Sequence, residues 1–231
     1  LYTDFASKLY NVPPDKVTKV QRQVGKVAHL GLGFGAGHET FQKVAKLMGG
    51  VDITLEESRD IVTRWRSEYR EIKKGWDKCN NKALPTIMRG ASGASVDPWG
   101  MVTPEPEGLK TPKGFIRYPD LRRQYSEMFE KMQTVYGHKP MKSIYGGKMT
   151  ENIVQHLARC VFADNALDIR RETGLNPALM VHDELVYVVP DKKAQSILDT
   201  VQEIMRTPPT WWPELITWSE GAIEDSYGEA K

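Results

Sequence analysis

The sequence has few cysteines, no long apolar run and almost no net charge. Its two cysteines, Cys79 and Cys160, are far apart, which excludes a disulfide framework and a cysteine-based zinc site. A reduced, intracellular setting is therefore expected. No stretch approaches the ~18 uncharged apolar residues that a membrane-spanning helix needs, so no membrane partner is expected.

What is present is the composition of a globular protein. The 231 residues are 40% hydrophobic and 27% charged, which excludes a disordered or collagen-like chain and suits one or two compact units. The net charge of +2 conceals an uneven distribution, because residues 1–89 carry 16 basic and 10 acidic side chains whereas residues 177–231 carry 4 and 10. A basic first third suits contacts with phosphates, and an acidic last third suits metal binding or solubility.

The first third of the chain is predicted to be helical. Three helices are expected, over residues 16–30, 39–48 and 54–82. Asp15 is the expected N-cap of the first helix. Thr54 and Glu57 have the spacing of a capping box at the start of the third.

The rest of the chain is predicted to mix short strands with helices. Residues 85–114 hold five prolines and five glycines without periodicity, which predicts a long loop or insertion between subdomains. Strands are expected over residues 115–118, 132–136, 141–145, 178–182, 185–189 and 215–219, and helices from Thr150 to Gly174 and from Asp191. The pattern predicts an α+β fold, with a helical first subdomain and an antiparallel-sheet second one.

The first candidate site lies on the first long helix. Its members recur every four residues and are predicted to share one helix face: Arg22, Lys26, Leu30 and Phe34. Two cations followed by an aromatic ring can hold a triphosphate and stack on a base. An ordinary solvated basic stripe is the alternative.

The second candidate site is the string His182-Asp183-Glu184 between two apolar strands. A hairpin turn there projects the carboxylates of Asp183 and Glu184 beyond the sheet, where their oxygens can bind a hard cation such as Mg²⁺. A polar turn without further function is the alternative, since Asp is common in turns.

The third candidate site is the string Tyr145-Gly146-Gly147-Lys148 and the helix that follows it. Glu151, Gln155 and Arg159 are spaced by four and share one helix face. A polar face on a helix whose other face is core can meet a groove of nucleic acid. Helix capping plus a solvated face is the alternative.

Taken in order, these sites resemble the C-terminal half of the polymerase domain of family A DNA polymerases, the DNA polymerase I type. Arg22, Lys26 and the Phe34-Gly35 pair resemble the fingers-helix motif of that family. The string YGGKMTENIVQHLAR resembles the palm-helix motif of phage members, and VHDELVYVV resembles the catalytic His-Asp-Glu turn. The opening LYTDFASKLYNV and the ending SYGEAK are also similar to phage polymerases, and the resemblance is weakest over residues 85–112.

The resemblance implies part of a right-hand polymerase. Fingers helices are expected over residues 1–84, a loop or insertion over 85–114, and part of the palm over 115–231. The implied activity is template-directed DNA synthesis in DNA replication, in which a primer 3′-hydroxyl reacts with a dNTP and two Mg²⁺ ions assist. Primer-template DNA and dNTPs are the implied partners, and the implied location is the cytoplasm, that of the host if the protein is phage-encoded.

The resemblance also implies roles for single residues. Catalytic roles are implied for Asp183, Glu184, Arg22 and Lys26. Contacts with the dNTP are implied for Arg22, Lys26, Leu30, Phe34 and Tyr2. Contacts with DNA are implied for Gln155, His182, Arg159 and Gly35. Metal binding is implied for Asp183 and Glu184.

The chain departs from the family pattern at several points. From the resemblance we expect the other metal-binding Asp of the family to belong to a motif upstream of Leu1, and the thumb and any exonuclease domain to be missing from these 231 residues. We therefore expect a fragment that needs this N-terminal part as a partner and is inactive alone. Leu30 stands where many members have Phe or Tyr, Tyr2 where bacterial members have a phosphate-binding His, and Cys160 where an acid is common.

Three other functions fit parts of the pattern. A single-subunit RNA polymerase shares the Arg, Lys and aromatic-Gly helix but has Ser after the catalytic Asp, whereas Glu184 follows Asp183 here. A non-catalytic nucleic-acid-binding module would use the basic helices without chemistry. A metal-dependent hydrolase would need more ligands, and the remaining four histidines lack ligand spacing.

Overall fold

The computed structural model describes residues 1–229 and divides the chain into two compact units at Val154. The last two positions of the predicted palm range and of the ending SYGEAK lie outside the described residues. Helices and small antiparallel sheets occur together, which confirms the α+β prediction. Within residues 1–229, no helix combines the length and the apolar character needed to cross a membrane.

The first unit opens with six helices. They are α1 Tyr2–Tyr10, α2 Lys19–Leu32, α3 His38–Gly49, α4 Leu55–Glu68, α5 Arg70–Lys78 and α6 Leu84–Met88. A 3-10 turn at Pro14–Lys16 precedes α2, and a π-helical turn at Cys79–Ala83 joins α5 to α6.

Local capping sets where these helices begin. α2 begins three residues later than predicted, because Thr18 rather than Asp15 is its N-cap and forms a capping box with Gln21. The predicted capping box of Thr54 and Glu57 is confirmed. The predicted single helix over 54–82 is interrupted at Tyr69, whose φ of −104° and ψ of 44° leave the helical region.

The helical core of this unit is rich in aromatic rings. Its buried members are Phe5, Leu9, Val24, Val27, Ala28, Leu32, Phe41, Ala45, Ile61, Val62, Trp65 and Trp76. The imidazole of His29 lies 4.7 Å from the ring of Tyr69 and 5.8 Å from that of Phe5, and its Nε2 is 3.0 Å from the Tyr69 hydroxyl oxygen. The indoles of Trp65 and Trp76 stack at 6.0 Å. Aromatic contacts therefore hold α1, α2, α4 and α5 together.

Residues 85–114, predicted to be a long loop or an insertion, contain regular elements. They contain the end of α6 and the strands β1 Thr103–Glu105 and β2 Gly108–Thr111, which continue into β3 Gly114–Arg117 as an antiparallel sheet of order β1-β2-β3. Before this sheet, the Asp97 carboxylate accepts hydrogen bonds from the backbone N–H groups of Trp99, Met101 and Val102. Burial raises the pKa of Asp97, but these bonds and one from Ser95 outweigh it and leave the pKa below its usual value.

A second antiparallel sheet follows, with the order β4-β5-β6. Its strands are β4 Arg122–Ser126, β5 Lys131–Tyr136 and β6 Lys142–Ser143. The long helix α7, Gly146–Thr173, then begins in the first unit and continues into the second. It starts four residues before the predicted Thr150 and ends as predicted at Gly174, whose φ is +72°.

The start of α7 approaches two other segments so closely that only glycine fits. A Cβ on Gly147 would overlap the carbonyl oxygen of Phe34, and one on Gly146 would overlap that of Trp76. The Gly146 N–H donates to Oδ1 of Asn80 at 2.6 Å. The Trp76 Nε1–H in turn donates to the carbonyl oxygen of Gly33 at 3.1 Å. The turn after α2, the end of α5 and the start of α7 are therefore joined by direct contacts.

The second unit combines the rest of α7 with a two-stranded hairpin and a final helix. These are β7 Leu179–Val181, β8 Glu184–Val186 and α8 Asp191–Arg206. The predicted strand over 215–219 is wrong, since the described chain has no strand there. That segment is instead held by Arg206, whose guanidinium donates to the Ser219 carbonyl oxygen at 2.6 Å and lies 4.4 Å from the ring of Trp218.

The partly buried histidine of the helical core predicts a pH-dependent stability. Burial lowers the pKa of His29 and also that of His156, so the unfolded chain binds more protons than the folded one near pH 6. The stabilising contribution is present above the unfolded pKa of about 6.5 and is lost as the pH falls toward the folded pKa. We expect the Tm to fall between about pH 8 and about pH 5.5.

Thermal unfolding at both pH values measures this, with His29→Gln expected to reduce the fall in Tm. His138→Gln is the control, at a histidine that is 78% exposed and whose Nδ1 lies 3.4 Å from an Asp120 carboxylate oxygen, and it should not reduce the fall in Tm, because loss of that exposed pair removes stabilisation only at low pH. An equal fall in the His29→Gln variant would contradict the role of the buried imidazole.

The close packing of Gly147 predicts that an added methyl group lowers the stability of the protein at this position but not at a glycine with open space around it. Gly147→Ala should lower the free energy of unfolding by about 1–3 kcal/mol, because the new Cβ displaces the Phe34 backbone. Gly75→Ala in α5 is the matched control, since a Cβ there meets nothing within 4 Å. It should raise the free energy of unfolding by about 0.5–1 kcal/mol through helix propensity.

Urea unfolding followed by tryptophan fluorescence measures both variants. If Gly147→Ala is as stable as Gly75→Ala, the close approach of α7 to the turn after α2 is wrong.

Candidate functional site

The exposed face of α2 carries the first candidate site. Arg22 and Lys26 are exposed, Leu30 is 49% exposed, and the three lie on one side of the helix. Among residues 1–229, no carboxylate forms an ion pair with Arg22 or Lys26. The Arg22 guanidinium lies 5.8 Å from the centre of the Tyr2 ring, which is partly buried at the start of α1. The face therefore offers two uncompensated positive charges to an anion.

Phe34 does not share this helix face, because α2 ends at Leu32. Phe34 and Gly35 lie in the turn that follows, and the φ of Gly35 is +89°, which a side chain would strain. A Cβ on Gly35 would lie 3.5 Å from Cε2 of Tyr145. The structure therefore brings the Phe34-Gly35 turn of the first site against the Tyr145-Gly146-Gly147 string of the third.

The polar face of α7 carries the other residues predicted to contact nucleic acid. Gln155 and Arg159 are both exposed, one helical turn apart. The opposite face of α7 is buried through Ile153, Leu157 and Val161. The Arg159 guanidinium lies 5.4 Å from the centre of the Phe162 ring, which restricts where it can point.

The second candidate site is a two-residue hairpin turn. Strands β7 and β8 pair so that Val181 faces Glu184, which leaves His182 and Asp183 as the turn. Both are exposed, and His182 has a φ of 50°, in the left-handed region that a two-residue hairpin requires. A non-glycine residue in this conformation is uncommon and carries backbone strain. The predicted hairpin turn is present and Asp183 lies in it, but the prediction is wrong for Glu184, which is the first residue of β8 and is partly buried.

Glu184 has a partner that sequence reasoning missed. The hydroxyl of Tyr227 donates to Oε2 of Glu184 at 2.9 Å. This hydrogen bond to the carboxylate raises the pKa of the Tyr227 hydroxyl. The two residues are 43 positions apart, so no local spacing signals the contact. The C-terminal segment therefore fixes the direction of one of the two carboxylates at the turn.

The donor set at this turn suits a hard cation. Carboxylate oxygens are the ligands that Mg²⁺ prefers, and Mg²⁺ takes only one or two of them together with waters and substrate phosphates. Asp183 presents an exposed carboxylate, whereas Glu184 is partly buried. Over residues 1–229, no three His, Cys, Asp or Glu side chains come together as a metal-binding group. The turn thus fits a shared site that draws further ligands from a substrate or another segment.

Sequence reasoning also missed how the third site is held. The Gly146-Gly147 pair was part of a motif, but its packing against Phe34 and Trp76 depends on segments far away in the chain. The adjacent glycines were the only available signal, since such pairs mark a close approach of backbone. The side-chain amide of Asn80, which binds the Gly146 N–H, had no signal at all.

Comparison with curated proteins gives two kinds of relative, while no family model matches the chain. The DNA polymerase of Bacillus phage SP02 is 29% identical over 245 residues, covering 98% of this chain and 36% of the phage protein. The thermostable DNA polymerase I of Thermus aquaticus is 22% identical over 207 residues, covering 89% of this chain and 20% of the relative. The chain thus spans about a third of the phage relative and a fifth of the bacterial one.

A solved structure has the same fold. The POL domain of Pol1 from M. smegmatis, in complex with DNA primer-template and dNTP, superposes with a TM-score of 0.60 at 16% identity. The match covers 95% of this chain and 32% of that one. The order of the motifs, the sequence likeness to named DNA polymerases and the shared fold agree, and the chain is similar to part of the family A DNA polymerases.

Proposed function

We propose that the chain serves template-directed DNA synthesis in DNA replication, as the fingers and part of the palm of a polymerase. In this reaction the oxygen of a primer 3′-hydroxyl bonds to the α-phosphorus of a dNTP, and the bond to the β-phosphate breaks to release pyrophosphate. The likeness of the chain to named DNA polymerases along nearly its whole length supports this proposal.

The observation that carries the proposal is the His182-Asp183 turn. It presents an exposed carboxylate on strained backbone at the end of a short hairpin, with Glu184 directly behind it. Strained, exposed turns with charged residues are typical of functional sites, since stability alone does not favour them. Asp183 would bind the metal ions and Glu184 would support that site.

The cations of α2 would bind the triphosphate. Arg22 and Lys26 are exposed and uncompensated among the described residues, so negative phosphate oxygens find no competing carboxylate there. They would also offset the charge that develops on the leaving pyrophosphate. Leu30 would lie beside the incoming sugar and Phe34 against the nascent base pair. Tyr2 would contact the dNTP beneath the Arg22 side chain.

The exposed face of α7 would meet the DNA. Gln155 would hydrogen-bond a base edge in the minor groove near the primer end, with Arg159 as its neighbour. Gly35 would contact the template strand at the turn after α2, and His182 would contact the backbone of the primer terminus. Buried Leu157 and Val161 on the opposite face of α7 support this assignment, because they restrict the helix to presenting its polar side.

Bound Mg²⁺ would supply charge neutralisation at the reacting phosphate and lower the pKa of the primer hydroxyl. Asp183 and Glu184 fit such an ion by donor type and number, as half of a two-ion site. A second Asp, from a motif that precedes this segment in the family, would complete the set.

The proposal includes an arrangement of subdomains and a location. Residues 1–84 would be fingers helices and residues 115–231 palm. Residues 85–114, which contain β1 and β2, would be an insertion between them. The thumb, the upstream palm motif and any exonuclease domain would be contributed by an N-terminal part. The setting would be the cytoplasm, that of the host for a phage-encoded protein.

Removal of the turn carboxylate tests the proposal. In a complete polymerase that contains this segment, Asp183→Asn should reduce primer extension at least about 1,000-fold, because charge stabilisation of the transition state is lost. The affinity for primer-template DNA should change less than about 3-fold, since phosphate contacts dominate it. Primer extension with Mg²⁺ and a DNA-binding titration measure the two effects.

Asp225→Asn is the matched control, because it removes the same charge from an exposed position of the same unit. It should leave extension unchanged. Full activity of Asp183→Asn would refute the assignment of the turn.

The 231-residue chain by itself should not extend primers. Its turn supplies only two carboxylates, and among residues 1–229 no third metal ligand lies close enough to complete a site. Primer extension with Mg²⁺ on the purified chain measures this. Template-directed incorporation of dNTPs would show that the described residues suffice for catalysis.

A further inference from the structure

The hairpin of β4 and β5 exposes an unusual amount of apolar surface. Large exposed apolar side chains between residues 125 and 141 are Tyr125, Met128, Phe129, Met132 and Met141. Met128 is 85% exposed and Tyr125 56%. A clustered set of this kind marks a binding surface more often than scattered single residues do.

The strand register places part of this set on one face. Tyr125 lies directly opposite Met132, and Arg123 lies opposite Thr134. Because side chains alternate along a strand, Arg123, Tyr125 and Met132 project to the same side. We call this the hairpin face. Val135 has the opposite parity on β5 and is 4% exposed, so it points into the protein.

The charges on the hairpin favour an anionic partner. Residues 122–142 contain five basic and two acidic side chains, an excess of +3 in a chain whose total is +2. Arg122 is paired with Asp120, but Arg123, Lys139 and Lys142 form no ion pair within residues 1–229. The Lys131 ammonium lies 5.8 Å from the centre of the Phe129 ring. Lys131 therefore lies near an exposed ring, and Arg123 lies two residues from the exposed Tyr125 on β4, both without an acid partner among the described residues.

Rings interleaved with unpaired cations match single-stranded nucleic acid better than they match a protein. The core of a protein interface is depleted of charged residues, whereas a strand of DNA needs both cations for phosphates and flat rings for bases. Arg123 and Tyr125 are two residues apart on a strand, about 7 Å, so one cation and one ring can serve neighbouring parts of a nucleotide.

We propose that the hairpin face binds single-stranded DNA. Tyr125 stacks on a base, Arg123 binds a phosphate, and Met132 covers the edge of the stacked base. The inference deepens the proposed polymerase function and rests on it for the biological source of the strand. The exposed Glu127 and Glu130 side chains at the tip repel phosphates, so the phosphate of the bound nucleotide lies toward Arg123 and away from the tip.

Binding of the 231-residue chain to a labelled oligothymidine of about 20 nucleotides tests the inference, with fluorescence anisotropy as the readout. Tyr125→Ala should weaken binding at least about 5-fold, the loss expected for one stacked base, whereas Tyr125→Phe should bind like the wild type. Arg123→Ala should weaken binding and reduce the slope of log affinity against log salt by about 0.7.

Arg59→Ala is the matched control, because it removes one positive charge from an exposed position on α4. The Arg59→Ala variant should have the same salt slope as the wild type. Tyr125→Ala should weaken the binding of oligothymidine by the same factor in this variant as in the wild type. Circular dichroism and the Tm of each variant show whether it is folded. If Tyr125→Ala and Arg123→Ala bind as tightly as the wild type, the hairpin face is not a DNA site.

A primer-template with an unpaired template end and a nicked duplex with a displaced flap identify the source of the strand. The substrate whose affinity falls in Tyr125→Ala is the one that reaches the hairpin. Primer extension by the complete polymerase separates this inference from the proposed function. Weakened binding with no extension by the wild type would leave the hairpin site standing and overturn the polymerase assignment. Normal primer extension by the wild type, together with unchanged DNA binding by Tyr125→Ala, would support the polymerase assignment and overturn the hairpin site.

Discussion

Trp76 is the side chain on which the arrangement of the first unit depends. Its indole stacks on Trp65 in the helical core and donates a hydrogen bond to Gly33, and its own carbonyl lies against Gly146. One residue thus links the core to the turn after α2 and to the start of α7. Both of those segments carry motif residues, so the position of Phe34 relative to Tyr145 follows from how the core packs. Replacing the Trp76 indole by a small side chain would therefore destabilise the core and also change the position of one motif relative to the other.

In the second unit, a hairpin turn and one hydrogen bond position the acidic residues. A short hairpin leaves His182 and Asp183 as its turn, and the hydroxyl of Tyr227 binds the carboxylate of Glu184 that follows. Two neighbouring acids therefore have different surroundings, one exposed and one held by a hydrogen bond. Such a difference lets adjacent carboxylates take different roles at one site, with Asp183 available to a cation and Glu184 directed by the C-terminal segment.

The uneven charge of the chain now has a structural basis. The basic first third includes the exposed and unpaired Arg22 and Lys26, but it also includes lysines that are paired with acids, such as Lys46 with Asp52 and Lys73 with Asp77. Surface pairs of this kind contribute little to stability and leave no net field. Arg22 and Lys26 thus belong to the basic side chains that have no carboxylate partner among the described residues, as do others such as Lys43 and Arg59. Composition alone does not separate that subset from the rest.

The sequence by itself determined the features that depend on neighbours along the chain. The capping box of Thr54 and Glu57, the end of α7 at Gly174 and the turn at Asp183 each follow from residues within a few positions. The motifs that resemble family A polymerases are equally local. Only the tertiary structure decided the features that join distant segments. The break at Tyr69 occurs where that ring packs on His29, and α2 ends before Phe34 where α7 meets the turn. The bond from Tyr227 to Glu184 also spans most of the second unit. These features were unpredictable from local pattern because close packing selects among conformations whose local energies are nearly equal.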